Sequence, residues 1–400
     1  MSAKPVIASQ NRWLLPEGIE ELLPDEVKRL ESMRRTMLDL FTSWGYDQVM
    51  PPMLEYVEAL QTGVGSELDL QTIKVTDQLS GRMMGIRPDI TPQAARIDAH
   101  YLKYDRPSRL CYIAPVLRAR PDGFGGSREP LQLGAELYGY AGSASDAESL
   151  CLMLTTLNTA GVENIHIDLG HVGIFRGLVA RAGLNTEREK ALFEALQRKA
   201  KPEITAMLDQ WAVAEPIKAC LAALADLNGD LSVLEEARAL LADAPKEVSA
   251  ALEQVAAVAE GVRRSYADMP IYIDLAELSG YSYYTGVVYS AFVPGHGRAI
   301  AKGGRYDGIG AAFGRARPAT GFGADLRELI RLAPTVTTEA GGIFTVLDES
   351  DGEQQKMIHD LRAQGERVVV QFSDGEGEAA DFACDRLLGK QGKAWKVSNI

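Results

Sequence analysis

Apolar residues recur at helical spacing near the start of the chain and then give way to short alternating runs. Residues 26–45 carry apolar side chains three or four positions apart and end at Gly45, which predicts a helix. Short strands are predicted at "YDQVM", "TIKVT" and "RMMGI". Longer strands follow at 109–118 and 131–140, and the Gly- and Pro-rich connection between them predicts an antiparallel pair. Residues 1–175 therefore have mixed α and β character.

The pattern changes twice in the rest of the chain. Residues 176–264 are rich in Ala, Leu, Glu and Lys, which predicts an all-helical insertion of several short helices. Strand patterns return at "PIYIDL", "YYTGVVYSAF" and "RAIAKG", and a helix is predicted at 324–332. We expect the strands on both sides of the insertion to share one sheet, so that 1–175 and 265–333 form one core domain. Residues 340–400 alternate as β-α-β-α-β, which predicts a small C-terminal α/β domain.

Composition narrows the class of protein. The chain has 400 residues, 46% hydrophobic and 24% charged, as is typical of a globular protein. It has no apolar run long enough to span a membrane, and we expect no signal peptide because the N-terminus lacks an apolar core. The four cysteines lie far apart in sequence, which favours the cytoplasm and argues against a zinc site. A net charge of −13 and the lack of a basic run weigh against nucleic-acid binding.

General motifs of chemistry are weak. The "GFGG" segment lacks the Lys and the Ser or Thr of a phosphate-binding P-loop, so we interpret it as a flexible loop. His166 and His171 lie five positions apart in a predicted strand and would point to opposite faces. With no cysteine near them, structural histidines are a better interpretation than metal ligands. No sequence context typical of a catalytic nucleophile is present.

Four segments together carry a more specific signal. They are "MMGIRPDITPQAAR", "YIAPVLRARPDGFGGSREPLQLGAELYG", "LSGYSYYTGVVY" and "KGGRYDGIGAAFGRARPATGFGADLREL". Their order, with the helical insertion between the second and the third, resembles the core of histidyl-tRNA synthetase over roughly residues 12–330. The resemblance begins at "LPEGIEELLPDE" and includes Pro52 in the first, dimer-forming motif. It implies a class II aminoacyl-tRNA synthetase-like α+β fold, with an antiparallel sheet flanked by helices.

The positions that recognise the amino acid in that family are largely kept. The "RPDIT" segment retains a carboxylate at Asp89 and the hydroxyl group of Thr91. Gln132 and Glu136 lie four apart on a predicted strand, so they share a face and can line one pocket. The resemblance implies a histidine-binding site, in which Arg118 is expected to meet a carboxylate through two hydrogen bonds. The expected site residues are Asp89, Thr91, Arg118, Gln132, Glu136, Tyr283 and Tyr284.

The positions that act on ATP in that family are changed. The family's R-G-L-D-Y-Y motif reads "SGYSYY", so that Ser279 and Ser282 replace an arginine and an aspartate. Arg120 replaces an adenine-contacting glutamate. Glu328 replaces the arginine that grips the γ-phosphate, and Asp325 replaces a glycine three positions earlier. Because adenylyl transfer depends on cations that face the phosphate charge, these changes disfavour triphosphate binding.

This combination of retained histidine-recognition positions and altered ATP-binding positions resembles the regulatory subunit family of ATP phosphoribosyltransferase, a synthetase paralogue in histidine biosynthesis. The resemblance implies no catalytic residue, cofactor or metal of its own. It implies that the chain activates a short-form catalytic subunit, which joins ATP to phosphoribosyl pyrophosphate, and transmits feedback inhibition by L-histidine. Members form homodimers through the core and assemble with the catalytic subunit into a hetero-octamer.

Two alternatives stay open at this point. The chain can be an active histidyl-tRNA synthetase or a paralogue that adenylates another amino acid, although Ser279 and Glu328 argue against both. It can also be a binding module without that partner, for example a sensor that engages a kinase or RNA. The sequence does not indicate which surface contacts the catalytic subunit, nor whether histidine acts from the pocket or from the subunit interface.

Overall fold

The structure is a computed structural model that describes residues 13–63, 66–121, 126–277, 280–281, 283–334, 341–372, 375, 377–392 and 394–400. The chain divides into two compact units, Met1–Pro334 and Thr335–Ile400, each with its own hydrophobic core. Ser279, Ser282 and most of the "GFGG" loop lie outside the described residues. In the described part of the chain, no helix combines the length and the apolar character needed to cross a membrane.

The first helix buries one apolar face. In the first helix, Pro24 occupies the first position, where its missing N–H leaves no bond unmade, and Leu30, Met37 and Phe41 face the core. In chain order the helices are α1 (Pro24–Ser43), α2 (Val57–Gln61), α3 (Ser66–Gln71), α4 (Thr91–Arg96), α5 (Ser143–Thr159), α6 (Val172–Ala182), α7 (Thr186–Gln197), α8 (Lys201–Gln210), α9 (Ile217–Ala223), α10 (Val233–Leu240), α11 (Lys246–Ser265) and α12 (Leu326–Leu332). A π-helical turn at Ile97–Leu102 extends α4.

Strands from both sides of the helical insertion form one sheet, as predicted. In chain order the strands of the first unit are β1 (Asp47–Gln48), β2 (Leu54–Tyr56), β3 (Ile73–Thr76), β4 (Met83–Ile86), β5 (Ser108–Pro115), β6 (Leu131–Tyr138), β7 (His166–His171), β8 (Asn228–Gly229), β9 (Ile271–Asp274), β10 (Val287–Phe292), β11 (Ala301–Arg305) and β12 (Ala319–Asp325). The described residues form a nine-stranded sheet in the order β1-β5-β6-β12-β11-β10-β7-β9-β8, and a smaller sheet in the order β2-β4-β3.

The central sheet is antiparallel from β5 to β7 and parallel near its edges. β5 pairs antiparallel with β6, as the sequence predicted. β1 pairs parallel with β5, and β9 pairs parallel with β7. Parallel neighbours need long crossover connections, and the helical insertion supplies one between β7 and β9.

The two faces of the central sheet have different roles. On one face Leu133, Tyr289 and Phe322 join the core with α5, and the Tyr289 hydroxyl group donates to Ser149 Oγ at 2.7 Å. The strand alternation therefore turns Gln132 and Glu136 of β6, and Lys302 of β11, to the opposite face. A ligand can reach that face because α5 does not cover it.

The predicted all-helical insertion, residues 176–264, contains one short strand. β8 pairs antiparallel with β9 at the edge of the central sheet, so the description as all-helical is wrong at these two residues. An open edge of β9 would leave backbone N–H and C=O groups unpaired, and β8 satisfies some of them. The rest of 176–264 consists of helices and their connections, and α11 packs against α5 and α6.

The second unit is a small α/β unit with one helix fewer than predicted. Its elements are β13 (Ile343–Val346), α13 (Gly352–Ala363), β14 (Val368–Gln371), β15 (Arg386–Gln391) and β16 (Ala394–Asn399), in the sheet order β14-β13-β15-β16. The second helix of the predicted β-α-β-α-β pattern corresponds to residues 379–390. A 3₁₀ turn spans Ala379–Phe382 instead, and Ala383 in the left-handed conformation (φ 51°) ends it before β15. β15 then pairs with both β13 and β16, which favours the strand over a helix.

Candidate ligand-binding site

A cavity of about 370 Å³ opens on the face of the central sheet that α5 does not cover. Its walls come from β6, β10, β11, β12, the start of α4 and the turn before β10. The predicted site residues that line it are Asp89, Thr91, Arg118, Gln132, Tyr283 and Tyr284. Glu136 is buried beside the lining, with 1% of its surface exposed. In the part of the chain that the structure describes, no group of three or more His, Cys, Asp or Glu side chains is placed to hold a metal ion.

One end of the cavity presents a fixed carboxylate. Gln132 Nε2 donates to Asp89 Oδ1 at 2.8 Å, and the backbone N–H of Thr91 donates to the same oxygen at 2.9 Å. Gln132 is itself held, because its Oε1 accepts from the backbone N–H of Ile90 at 3.0 Å. These bonds set the direction of the Asp89 carboxylate at the start of α4. Its negative charge beside a hydroxyl group and an amide suits an ammonium group.

A second carboxyl group, that of Glu136, lies beside the lining among tyrosines. Tyr112 donates to Glu136 Oε1 at 2.9 Å, and Tyr306 donates to Glu136 Oε2. Burial raises the pKa of Glu136 to about 8, although both tyrosine hydroxyl groups favour the ionised form. At neutral pH Glu136 is therefore largely protonated, and it can donate as well as accept a hydrogen bond.

Tyr283 and Tyr284 lie in a turn, although the sequence predicted a strand from Tyr283 onwards. The strand β10 begins at Val287, because Gly280 has a φ of +71° and its carbonyl group accepts from the backbone N–H groups of both tyrosines. Tyr283 stacks on Tyr306 with ring centroids 5.0 Å apart. Its hydroxyl group is buried without a hydrogen-bond partner among the described residues. Such a group favours a ligand that supplies a polar atom, because an unsatisfied buried hydroxyl group is destabilising.

Two glycines of β12, Gly321 and Gly323, belong to the floor of the cavity, which is the surface of the central sheet. Gly321 lies opposite Glu136 on the neighbouring strand, and a Cβ atom there would lie 1.7 Å from Glu136 Oε2. At Gly323 a Cβ atom would meet nothing closer than 3.6 Å, with Gln132 Nε2 among the nearest atoms. Lys302 lies directly opposite Gly323 on β11. The floor is therefore filled by Glu136 above Gly321 and remains open above Gly323.

Positive charge is present in the lining, and part of it is neutralised within the protein. The cations are Arg118, Arg298 and Lys302. Arg298 donates to Glu328 Oε1 from Nε at 3.0 Å and from Nη2 at 2.8 Å, and His296 Nε2 lies 2.6 Å from the same oxygen. Lys302 has no hydrogen-bond or ion-pair partner among the described residues.

Comparison with known proteins gives this geometry a family. A family model described as histidyl-tRNA synthetase matches residues 18–329, and one described as ATP phosphoribosyltransferase subunit HisZ C-terminal domain matches residues 340–398. An ATP phosphoribosyltransferase regulatory subunit from Thioalkalivibrio sulfidiphilus is 52% identical over 98% of this chain and 100% of that relative. One from Ectopseudomonas mendocina is 51% identical over the same shares of both chains. The chain belongs to the ATP phosphoribosyltransferase regulatory subunit family.

Solved structures agree with this assignment. A Bacillus halodurans structure described as an ATP phosphoribosyltransferase regulatory subunit/histidyl-tRNA synthetase matches with a TM-score of 0.82 and 29% identity, covering 94% of this chain and 97% of that one. A histidyl-tRNA synthetase from Nostoc matches with a TM-score of 0.77 and 21% identity, covering 94% and 92%. The second match supports the fold alone. The predicted class II synthetase-like α+β fold is confirmed.

For a regulatory subunit of this family, the positions that differ from the synthetase have their own structural uses. Asp325 caps α12 by accepting from the backbone N–H of Arg327 at 3.0 Å, and it also accepts from that of Leu131 at 3.0 Å. Burial raises the pKa of Asp325 to about 6. Glu328 forms the ion pair with Arg298, and Arg120 is exposed and outside the cavity lining. Asp325 and Glu328 therefore place two carboxylates in the cavity lining. The sequence comparison predicted the loss of phosphate-binding groups at these positions.

Sequence reasoning missed three residues of the site. Tyr112 looked like an ordinary aromatic residue of β5, but its hydroxyl group lies 3.0 Å from Thr91 Oγ1 and bonds Glu136. Tyr306 and Lys302 belong to "KGGRYDG", one of the four segments that carried the family resemblance. Tyr306 directly follows β11 and Lys302 lies on it. Both residues could therefore have been found from this segment of the sequence.

Proposed function

We propose that this chain activates a short-form catalytic subunit of ATP phosphoribosyltransferase and makes it sensitive to histidine by binding that amino acid in the cavity. The observation that carries the proposal is the arrangement of two carboxyl groups at the cavity. Asp89 with Gln132 suits an ammonium group, and Glu136 with its tyrosines suits an imidazole ring. The proposed histidine site comprises Asp89, Thr91, Arg118, Gln132, Glu136, Tyr283 and Tyr284. The names of the relatives support a catalytic partner for this chain.

The buried groups Glu136 and Tyr283 match the chemistry of imidazole. A neutral imidazole ring has one N–H donor and one acceptor nitrogen. Protonated Glu136 can donate to the acceptor nitrogen, and the unsatisfied hydroxyl group of Tyr283 can accept from the N–H. The faces of Tyr283 and Tyr284 supply aromatic packing. A purely apolar side chain would leave these polar groups without partners, so the site favours histidine over leucine or methionine.

The charge of the cavity weighs against a nucleotide as the ligand. Its lining contains the carboxylates Asp89, Glu277, Asp325 and Glu328 and the cations Arg118, Arg298 and Lys302. Because Arg298 pairs with Glu328, its positive charge is already neutralised. A triphosphate needs several cations that face its oxygens. The balance of charge therefore supports a small zwitterion rather than ATP.

The small sheet supports the part of the proposal that concerns assembly. Leu54 of β2 and Val75 of β3 expose apolar side chains on the same face of this sheet, and Leu79, between β3 and β4, is 99% exposed. Pro52, which the sequence assigned to a dimer-forming motif, lies two residues before the start of β2. We therefore propose a second copy of this chain as the occupant of this surface. A cytoplasmic hetero-octamer of such dimers with catalytic subunits is the assembly that the family resemblance implies.

Feedback inhibition requires a difference in affinity between two states of the assembly. Histidine shifts activity only if it binds the inactive state more tightly than the active one, and the coupling is typically about 1–3 kcal/mol. The turn of Tyr283 and Tyr284 leads directly into β10, so a ligand under this turn contacts a segment continuous with the central sheet. We propose that turn as the first element to respond.

The direct test is reconstitution. The purified chain is added to a purified short-form catalytic subunit, and formation of phosphoribosyl-ATP is followed with and without histidine. We expect the chain to raise the rate and histidine to lower it again, whereas the catalytic subunit alone should be insensitive to histidine. A chain that neither raises the rate nor confers sensitivity contradicts the proposal.

A further inference from the structure

We propose that Lys302 binds the α-carboxylate of the amino acid in the cavity and thereby makes the site selective for amino acids over their decarboxylated or reduced analogues. This inference rests on the proposed function, since it concerns the same ligand. It changes the sequence-based interpretation, in which Arg118 meets the carboxylate. Three observations carry it: the open floor at Gly323, the positions of the groups around that floor, and the absence of a protein partner for Lys302 among the described residues.

Gly323 is the point around which the recognition groups are arranged. On the neighbouring strand β6, Gln132 donates a hydrogen bond to Asp89, the expected partner of an ammonium group. Along β12, Gly321 lies beneath Glu136, the expected partner of the imidazole ring. On the other neighbouring strand, β11, Lys302 lies directly opposite Gly323. The three groups thus surround one open patch of floor from three directions.

The distances between strands suit an amino acid placed over that patch. Neighbouring strands are about 4.8 Å apart, so β6 and β11, with β12 between them, are separated by about 10 Å. That gap leaves room for a Cα atom above Gly323, with its ammonium group towards Asp89. The flexible four-carbon stem of Lys302 can bring its ammonium group over the floor from the opposite side. Three different contacts around one Cα atom also distinguish L- from D-amino acids.

The other two cations of the lining are less suitable. Arg298 already pairs with Glu328. Arg118 Nε donates to the Pro88 carbonyl group at 3.5 Å, which holds this guanidinium group on the same side of the floor as Asp89. The ammonium and carboxylate groups of an amino acid leave Cα along two different tetrahedral directions, so a ligand with its ammonium group at Asp89 can direct its carboxylate across the floor towards Lys302.

The test compares ligands with and without the carboxylate. L-histidine and L-histidinol, in which a hydroxymethyl group replaces the carboxylate, are titrated by calorimetry into the full chain and into Lys302→Met, Lys302→Arg and Arg118→Met variants. Lys28→Met, at an exposed position on α1, serves as the matched control. We expect the wild-type chain to prefer histidine by roughly 10-fold or more, as charge-assisted hydrogen bonds imply.

The outcomes separate the two proposals. Lys302→Met should lose that preference by weakening histidine alone, and Lys302→Arg, which keeps the charge, should retain it. A preference that survives in Lys302→Met, or that disappears only in Arg118→Met, overturns the role of Lys302 but leaves the histidine site standing. Equal binding of histidine and histidinol by the wild-type chain likewise overturns the role of Lys302 and leaves the histidine site standing. If the wild-type chain binds neither ligand, the proposed function fails, and the role of Lys302 fails with it.

Discussion

Glu136 combines burial with two hydroxyl donors, and burial moves its change of protonation state towards neutral pH. Its carboxyl group is 1% exposed and accepts from Tyr112 and Tyr306. Burial nevertheless dominates and raises its pKa to about 8. A carboxyl group that changes charge near neutral pH can match either protonation state of an imidazole ring, which itself titrates near pH 6.5.

Stability should fall as the pH rises through the range in which folded Glu136 keeps a proton that the unfolded chain has released. The ordinary pKa is 4.5 and the folded value is about 8, so the loss runs between these values and is complete above the second. Its slope is at most about 1.4 kcal/mol per pH unit. Glu136→Gln removes this titration, so the Tm of wild type relative to that variant should decline from pH 5 to pH 8.

Thermal unfolding at each pH from 5 to 9 measures this difference. Glu247→Gln, at an exposed position on α11, is the control and should follow the wild-type curve. A constant offset between wild type and Glu136→Gln across the range would mean that Glu136 has an ordinary pKa in the folded protein.

At the scale of residues, the sequence identified side chains better than it identified their surroundings. Asp89, Gln132 and Tyr283 line one cavity although they come from distant segments. The motif comparison supplied that grouping, because periodicity alone brings no distant residues together. It could not supply the pairing of Glu328 with Arg298, since "GHGR" belongs to no motif and the contact depends on the path of the loop before β11.

At the scale of elements, β12 offers a matched pair of glycines. A Cβ atom at Gly321 would lie 1.7 Å from Glu136 Oε2 and 2.7 Å from the carbonyl oxygen of Ala135. Gly321→Ala should therefore destabilise the fold by roughly 1–3 kcal/mol, as overpacking does. Gly323→Ala meets only ordinary contacts, so its Tm should stay close to that of wild type.

The Gly323→Ala variant also tests where the ligand lies. The methyl group of Gly323→Ala lies on the open floor, so we expect histidine affinity to fall roughly 10-fold by steric conflict. Calorimetry on the folded variant measures it. Wild-type affinity in Gly323→Ala would show that the ligand does not lie over this part of β12.

The errors in predicted elements have local causes. The strand predicted from Tyr283 starts instead at Val287, because Gly280 turns the chain and the alternation of aromatic residues resembles a strand. The helix predicted at 379–390 is replaced by β15, whose pairing with β13 and β16 is decided by tertiary contacts. Strand propensity depends strongly on such neighbours, so short segments are the ones most often assigned wrongly from sequence.

At the scale of the whole molecule, the two units differ in structure and in the family models that they match. The first contains the synthetase-like sheet and the cavity, and the second is a four-stranded unit that matches a family-specific domain. The sequence analysis assigned residues up to 333 to the core and residues 340–400 to the C-terminal domain. That the strands on both sides of the insertion share a sheet was predictable, because strand patterns such as those of β6 and β10 flank a segment rich in helix formers.

The central claim is that histidine regulates the catalytic partner from this cavity. The measurement that tests it most directly is the histidine inhibition curve of the reconstituted complex, with wild-type chain, Asp89→Asn, or the exposed control Asp268→Asn. Each curve is normalised to the same complex without histidine. We predict that Asp89→Asn needs roughly 10-fold more histidine for half inhibition, because a charged partner of the ammonium group is lost, and that Asp268→Asn follows wild type. Superimposable curves for Asp89→Asn and wild type would contradict the account.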